Sequence, residues 1–276
     1  MDWKKTKTIM IIFIVIVDIL LLGYITYDKL NIRKMDYNMS QTTTQLLKSK
    51  GILVDSQILV DAYKIKTAKN VYADNIISNY EEFAKHILQD DVKKISDNEY
   101  ISDKGKIIFK GDFFDASANE NEYLQKVEIT KANAPKTAQK YLERIGVNTD
   151  NITKTVIEEN EKFYFSIYAN IDRFPVFKVG INVLMTKDGI KEVYGKWYNV
   201  NNYNREQIEL KPISGVMVEF MNKVLNNGTN ININSVDFGY LSPDDNIHHE
   251  SIMMTTAWKI LYDEKEAVFI KARENI

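Results

Sequence analysis

Residues 9–27 (IMIIFIVIVDILLLGYITY) form an apolar run with a single charge, and no other stretch limits the chain's architecture as much. At about 1.5 Å per residue, a helix over this run is roughly 28 Å long, close to the hydrocarbon thickness of a bilayer. Trp3, Lys4, Lys5 and Lys7 precede it, Tyr24 and Tyr27 close it, and no small-residue A-x-A pattern follows. The expectation is an uncleaved transmembrane anchor rather than a signal peptide. Lys29, Arg33 and Lys34 balance the basic residues of the head, and the compactness of that head tips the orientation. Residues 1–8 are then cytoplasmic, and everything beyond the anchor is extracytoplasmic. Asp18 sits near the middle of the run, where a carboxylate costs about 2.5–3.5 kcal/mol on insertion scales. It is either protonated in tolerant surroundings or bonded to a polar group on another transmembrane helix. Gly23 permits close helix approach, so Asp18 and Gly23 are candidate partner-binding residues.

The rest of the chain is long enough to bury a core, and its charges nearly cancel: 36 basic and 38 acidic residues give −2. That balance offers no basic surface for nucleic acid. The chain has no cysteine, which excludes disulfides, thiol catalysis and thiolate metal sites.

Residues 28–41 read as a polar stalk and residues 42–50 as a short helix stopped by Gly51, with Ile52, Leu53 and Val54 extended after it. Apolar residues at 3–4 spacing (Ile76, Tyr80, Phe83, Ile87, Leu88, then Val92 and Ile95) predict a helix over 74–95 capped by Asp74. His86 borders that stripe without an evident partner. Residues 99–114 read as two strands turned at Lys104 and Gly105. Pro135 opens a helix that Gly146 stops, and strands follow at 153–158, 162–170, 176–185 and 190–198, with an Asp188-Gly189 hairpin signal. Pro212 and Ser214 open another helix, stopped by Gly228, with strands at 231–240, 251–262 and 267–272. The unit of a helix, a glycine stop and antiparallel strands thus occurs twice. The expected fold is α+β: one N-terminal transmembrane helix, then repeated units of a helix packed on antiparallel sheet. The expected layout is head 1–8, anchor 9–27, stalk 28–41, and extracytoplasmic α+β subdomains at 42–130 and 131–276, the latter holding two helix-plus-sheet repeats.

No nucleophile elbow, S-x-x-K, P-loop or H-E-x-x-H pattern is present, so no catalytic residue, cofactor or metal is assigned. Residues 242–250 (SPDDNIHHE) hold Asp244, Asp245, His248, His249 and Glu250. Adjacent histidines in extended backbone point to opposite faces, which favours a solvated loop over a metal site. Phe163, Tyr164, Phe165, Tyr168, Tyr194, Trp197 and Tyr198 could form a sugar or peptide platform. Alternation in a half-buried strand instead favours core on one face and packing on the other.

The opening MDWKKTKTIMIIFIVIVDILLLGY resembles the start of the YycI (WalI) family. KGILV, SDKGKIIFKGDFF, VDFGYL at 236–241 and TAWKILY at 256–262 follow that family's order, so the resemblance covers essentially the whole chain. Gly239, Tyr240, Ala257 and Trp258 are the best of the later matches and serve equally well as fold determinants. The resemblance implies a non-catalytic, single-pass membrane protein of Gram-positive cells. Such a protein would regulate a WalK (YycG) type sensor histidine kinase of a two-component system, together with a YycH-like protein. It implies no catalytic residues and leaves homo-oligomerisation open. The alternatives are an extracytoplasmic ligand- or peptide-binding module at the cell envelope, or an envelope enzyme or inhibitor. An exposed sheet edge, or an open aromatic groove around Trp197, would mark the peptide-binding alternative.

Overall fold

A computed structural model describes residues 3–89, 91–224, 230–244, 246–264 and 266–273, with side chains at 3–6, 8, 9, 12 and 201–206 left aside. The chain begins with one unbroken helix, α1 (Trp3–Ser49), and turns at Gly51, whose φ of +77° suits glycine. β1 (Ile52–Val54) leads into α2 (Ser56–Tyr63), capped by the Asp55 carboxylate, which accepts the Gln57 N–H at 2.8 Å.

The helix expected over 74–95 is much shorter. β2 (Thr67–Asn75) takes Asp74 into a strand that buries Val71 and Ala73. α3 (Tyr80–Leu88) starts at Asn79, whose side chain accepts the N–H groups of Glu81 and Glu82 at 2.9 and 3.1 Å. It stops at Gln89, which is left-handed at φ 53°. The apolar spacing is helical only between these two signals. Ile95 belongs to β3 (Lys93–Ser96), followed by β4 (Glu99–Ile101), β5 (Gly105–Lys110), β6 (Phe113–Ala118) and the short β7 (Gln125–Lys126).

α4 (Ala134–Arg144) has Pro135 in its first turn and Gly146 at φ +92° just beyond its end. β8 (Ile152–Glu159), β9 (Lys162–Ile171), β10 (Phe174–Thr186), β11 (Gly189–Lys196) and β12 (Tyr198–Glu209) form the long strands. α5 (Ile213–Val224), β13 (Ile231–Leu241), β14 (Ser251–Tyr262) and β15 (Glu266–Lys271) complete the chain. Gly228, the expected stop of α5, lies outside the described residues. The α+β composition and the strands of the second half follow the alternation in the sequence.

The chain forms two compact units. In the first, the end of α1 packs with α2, β1 and α5, and β1 runs parallel to β13 with Ile52 opposite Ile231. Leu47, Ile52 and Leu59 are buried there, the Thr43 and Tyr63 hydroxyls meet at 2.9 Å, and Lys66 pairs with the buried Asp36 at 3.0 Å.

The second unit is built on an antiparallel sheet in the order β8-β9-β10-β11-β6-β5-β4-β3, with β2 and β12 paired beyond β14. Alternate residues of β9, β10, β11, β6 and β5 are buried with α3 and α4 in one core that includes Ile107, Phe109, Phe114, Phe165, Ile181 and Val193, whereas β8 and β3 have no buried residue. The opposite face of the sheet carries Tyr164, Tyr168 and Tyr194, which are exposed. In β10 the register slips between Pro175 and Gly180, and Val176 and Phe177 pair there with β13 instead of β9.

The expected membrane anchor is corrected. Among the described residues, no helix is long and apolar enough to cross a membrane. The run at 9–27 does not stand alone as a span: it is part of α1, holds Asp18, and continues at Asp28 and Lys29 into the polar half of the same helix. The single-pass topology, and the localisation of the remainder as extracytoplasmic on the strength of that anchor, are therefore set aside. Met1 and Asp2 of the expected cytoplasmic head, and the side chains of Lys4 and Lys5, lie outside what is described.

Candidate functional site

A buried polar cluster of the second unit centres on Asp112, in the two-residue turn between β5 and β6, where Lys110 pairs with Phe113. Gly111 makes this turn: its φ is +59°, and a Cβ there would lie 2.7 Å from the backbone carbon of Asn246. The 242–250 loop thus packs directly on the turn. Asp112 is buried, and five donors converge on its carboxylate. Oδ1 accepts from Asn75 Nδ2 at 2.8 Å, from the His249 backbone N–H at 2.7 Å and from His248 Nδ1 at 3.2 Å. Oδ2 accepts from the Tyr198 hydroxyl at 2.5 Å and from His249 Nδ1 at 2.8 Å. Tyr80 stacks on Phe109, lies 5.1 Å from the His248 ring, and donates to the Gly111 carbonyl at 2.9 Å.

Burial pushes the Asp112 carboxyl up, but hydrogen bonds from Tyr198 and His249 outweigh it, and the net direction is down. Because the carboxylate only accepts, each histidine facing it carries its proton on Nδ1. A carboxylate has about four acceptor positions, and five donors occupy these. Asp112 therefore works as a clasp that fixes the 242–250 loop and has no lone pair left over for a base. Among the described residues, no group of three or more His, Cys, Asp or Glu could hold a metal ion.

Beside the clasp, a cleft of about 490 Å³ opens on the exposed sheet face. Gly180 and Gly195 line it with backbone, Gly180 on the exposed face and Gly195 with its missing side chain toward the core. Gly180 and Gly195 lie on paired strands, with Gly195 opposite Ile181 and Gly180 opposite Lys196. A Cβ on Gly180 would sit 2.7 Å from the Ile167 carbonyl and 3.0 Å from the Tyr168 ring, and Gly195 holds φ +145°. Tyr168, Tyr194 and Phe113 supply rings to the cleft, and Asn182 supplies an amide. Lys110, Lys178 and Lys196 stand at the rim. Lys178 ion-pairs with Asp244, whose carboxyl it holds below the usual range, and Lys196 donates to the Pro243 carbonyl at 2.7 Å.

The aromatic residues divide by parity. Phe163, Phe165, Trp197 and Tyr198 are buried, whereas Tyr164, Tyr168 and Tyr194 are exposed. Trp197 does not form an open groove: it is 3% exposed and donates to Asn199 Oδ1 at 3.1 Å. His86 has a partner after all, the Arg144 carbonyl at 2.6 Å. His248 and His249 lie outside strand geometry, so their rings reach the two oxygens of one carboxylate, while Asp245 is outside the described residues. Asp18 is exposed on α1, and a Cβ at Gly23 would meet nothing within 4 Å. Gly239 lets β13 approach β10, since a Cβ there would lie 2.4 Å from the Pro175 carbonyl. Tyr240, Ala257 and Trp258 are core residues, Trp258 packing edge-on against Phe238 at 5.3 Å.

These features define the class: an α+β protein with a clasped loop beside an open cleft on a sheet face. No family model and no curated protein matches the chain. An uncharacterized protein from Eubacterium rectale aligns at 14% identity over 74% of this chain and 82% of its own, with a TM-score of 0.44. The C-terminal domain of YpeB from Bacillus megaterium aligns at 13% identity over 70% and 91%, with a TM-score of 0.29. Similarity at this level carries no argument about function. The resemblance to the YycI family is accordingly corrected: no family model supports it, and the membrane-spanning helix that family requires is absent among the described residues. The kinase-regulating role, expected to act through transmembrane and extracytoplasmic contacts to a WalK-type kinase and a YycH-like protein, is corrected with it, because no helix among the described residues can supply the transmembrane contact.

Proposed function

We propose that this chain is a non-catalytic binding module whose cleft takes a short extended peptide, or a peptide-like chain, carrying a carboxylate. The observation behind this reading is the pair of exposed rings, Tyr168 and Tyr194, beside the Gly180 backbone in the cleft. The missing side chain at Gly180 makes room for the Tyr168 ring, and the exposed rings of Tyr168 and Tyr194 offer flat apolar contact to a ligand chain. Lys110, which lines the cleft, supplies a charge-assisted donor for a carboxylate. Both acids that line the cleft are engaged, Asp112 by Asn75, Tyr198 and the two histidines and Asp244 by Lys178.

Calorimetric titration of the full chain with extended acidic peptides, against versions with amidated carboxyls, tests the reading. Binding is expected for the acidic set, weakened about tenfold by Tyr194→Ala, since one ring contact is worth on the order of a kcal/mol. Equal affinity for the acidic and amidated sets, or none for either, would sink it.

A further inference from the structure

Among the described residues, β8 pairs with β9 alone, so its other side is open. Every residue of this strand is at least partly exposed, with Val156 at 42% and Ile157 at 60%. The register identifies the unused backbone groups. The Asn170 N–H donates to the Asn151 carbonyl at 3.0 Å, and pairing runs unbroken from Ile152 opposite Ala169 to Glu159 opposite Lys162. Antiparallel ladders alternate between bonded and non-bonded pairs. The odd-numbered residues of β8 therefore bond to β9, and Lys154, Val156 and Glu158 direct their N–H and C=O groups outward.

That outward set is complementary to itself. A second copy running antiparallel, with Val156 opposite Val156, sets Lys154 opposite Glu158 twice and Thr155 opposite Ile157 twice. The same register brings outward-facing backbone groups together on both strands. Moving the twofold axis one residue, to Thr155 or Ile157, sets Val156 against Lys154 or Glu158 and loses both ion pairs. Charges on an edge usually block strand addition. Here they favour the Val156 register, and they oppose axes at Lys154 or Glu158, which set like charges opposite each other. Glu158 already bonds Lys131 at 2.8 Å, so across the axis it would lie between that lysine and Lys154 of the second copy.

We propose that β8 is a self-association edge, at which a second copy of this chain pairs antiparallel about Val156 and continues the sheet. The chain has no cysteine, so single-cysteine variants of the full chain report the register directly. A hydrogen-bonded antiparallel pair holds its Cα atoms about 5.5 Å apart, within disulfide reach. Val156→Cys is expected to form an intermolecular disulfide under mild oxidation. Thr153→Cys is not, because six residues along a strand put the two copies roughly 20 Å apart at that position. In sedimentation experiments, Lys154→Glu should weaken self-association about tenfold, because two cross-strand pairs become repulsive together. Adding Glu158→Lys should restore it. Val156→Pro removes only an outward N–H and should abolish association while leaving the β8–β9 hairpin folded. A monomeric chain, equal crosslinking at positions 153 and 156, or association indifferent to both charge changes would overturn the proposal.

Discussion

Asp112 holds His249 twice, accepting its backbone N–H at 2.7 Å on one oxygen and its ring Nδ1 at 2.8 Å on the other. A residue gripped through both main chain and side chain has no rotational freedom, and His248 on the adjoining peptide reaches the same carboxylate at 3.2 Å. One turn residue thus orders the loop that forms a wall of the cleft. The same carboxylate is also tied to the scaffold, through Asn75 and Tyr198.

Removing that carboxylate should be more damaging than removing any single donor. Asp112→Ala takes the Asp112 acceptor from the Tyr198 hydroxyl and the His249 N–H in a buried place, and leaves Asn75 Nδ2 only the His249 carbonyl at 3.1 Å. With about 1–3 kcal/mol for each unsatisfied group, partly relieved by water, a loss of about 3 kcal/mol is expected. Tyr198→Phe removes one donor of five and should cost about 1 kcal/mol. Urea denaturation of both variants beside the parent checks the order. If Tyr198→Phe proves the more damaging, the carboxylate is not the centre of the network.

The acid dependence has a definite sign. The Asp112 carboxyl lies below its ordinary value of 3.8 in the folded protein, so folding favours its ionised form. Its contribution is fully present above the unfolded value and is lost as pH falls through the lower folded value. The melting temperature of Asp112→Asn should therefore trail the parent at neutral pH, and the gap should narrow below about pH 4. A gap that widens on acidification would mean that the carboxyl is held up, not down.

Gly111 is the second support of the clasp, and its replacement tests packing rather than charge. Gly111→Ala places a methyl group 2.7 Å from the Asn246 backbone and 2.8 Å from the Ile247 carbonyl, at a φ of +59°. The left-handed backbone alone costs about 1–2 kcal/mol, and the clash adds to it. Faster hydrogen exchange at the His249 amide is expected, with the α4 amides unchanged. Unaltered protection at His249 would show that the loop does not rest on this turn.

Strand alternation made β9 to β11 legible in the sequence, because one face of each strand is buried and the residues say which. Asp188-Gly189 and the glycine stops marked chain reversals for the same local reason. The clasp was not legible. Asn75, Asp112, Tyr198 and the two histidines come from four distant segments, and no spacing rule connects them. Gly111-Asp112 between two alternating runs was a turn signal that could have been read, yet it would not have revealed what Asp112 binds. The apolar run at 9–27 misled for a different reason: composition describes a segment, whereas the helix that forms extends well past it. The 74–95 helix failed where Asn79 offered a better cap than Asp74 and where β2 paired with β12 and β14.

In the first unit, Leu47 near the end of α1 is 1% exposed, and the Thr43 and Tyr63 hydroxyls meet at 2.9 Å one turn earlier. This end of the helix is held by burial, whereas Tyr24 and Tyr27 on the same helix are exposed. Leu47→Ala should cost about 2–5 kcal/mol in this unit, through lost apolar contact and the cavity left behind. Leu46→Ala, one residue away and 44% exposed, should cost well under that. Hydrogen exchange reads the difference locally: protection should fall across α2 and β1 in Leu47→Ala and stay near the parent's in Leu46→Ala. If both variants behave alike, the end of α1 is not anchored through Leu47, and the pairing of Thr43 with Tyr63 carries the contact instead.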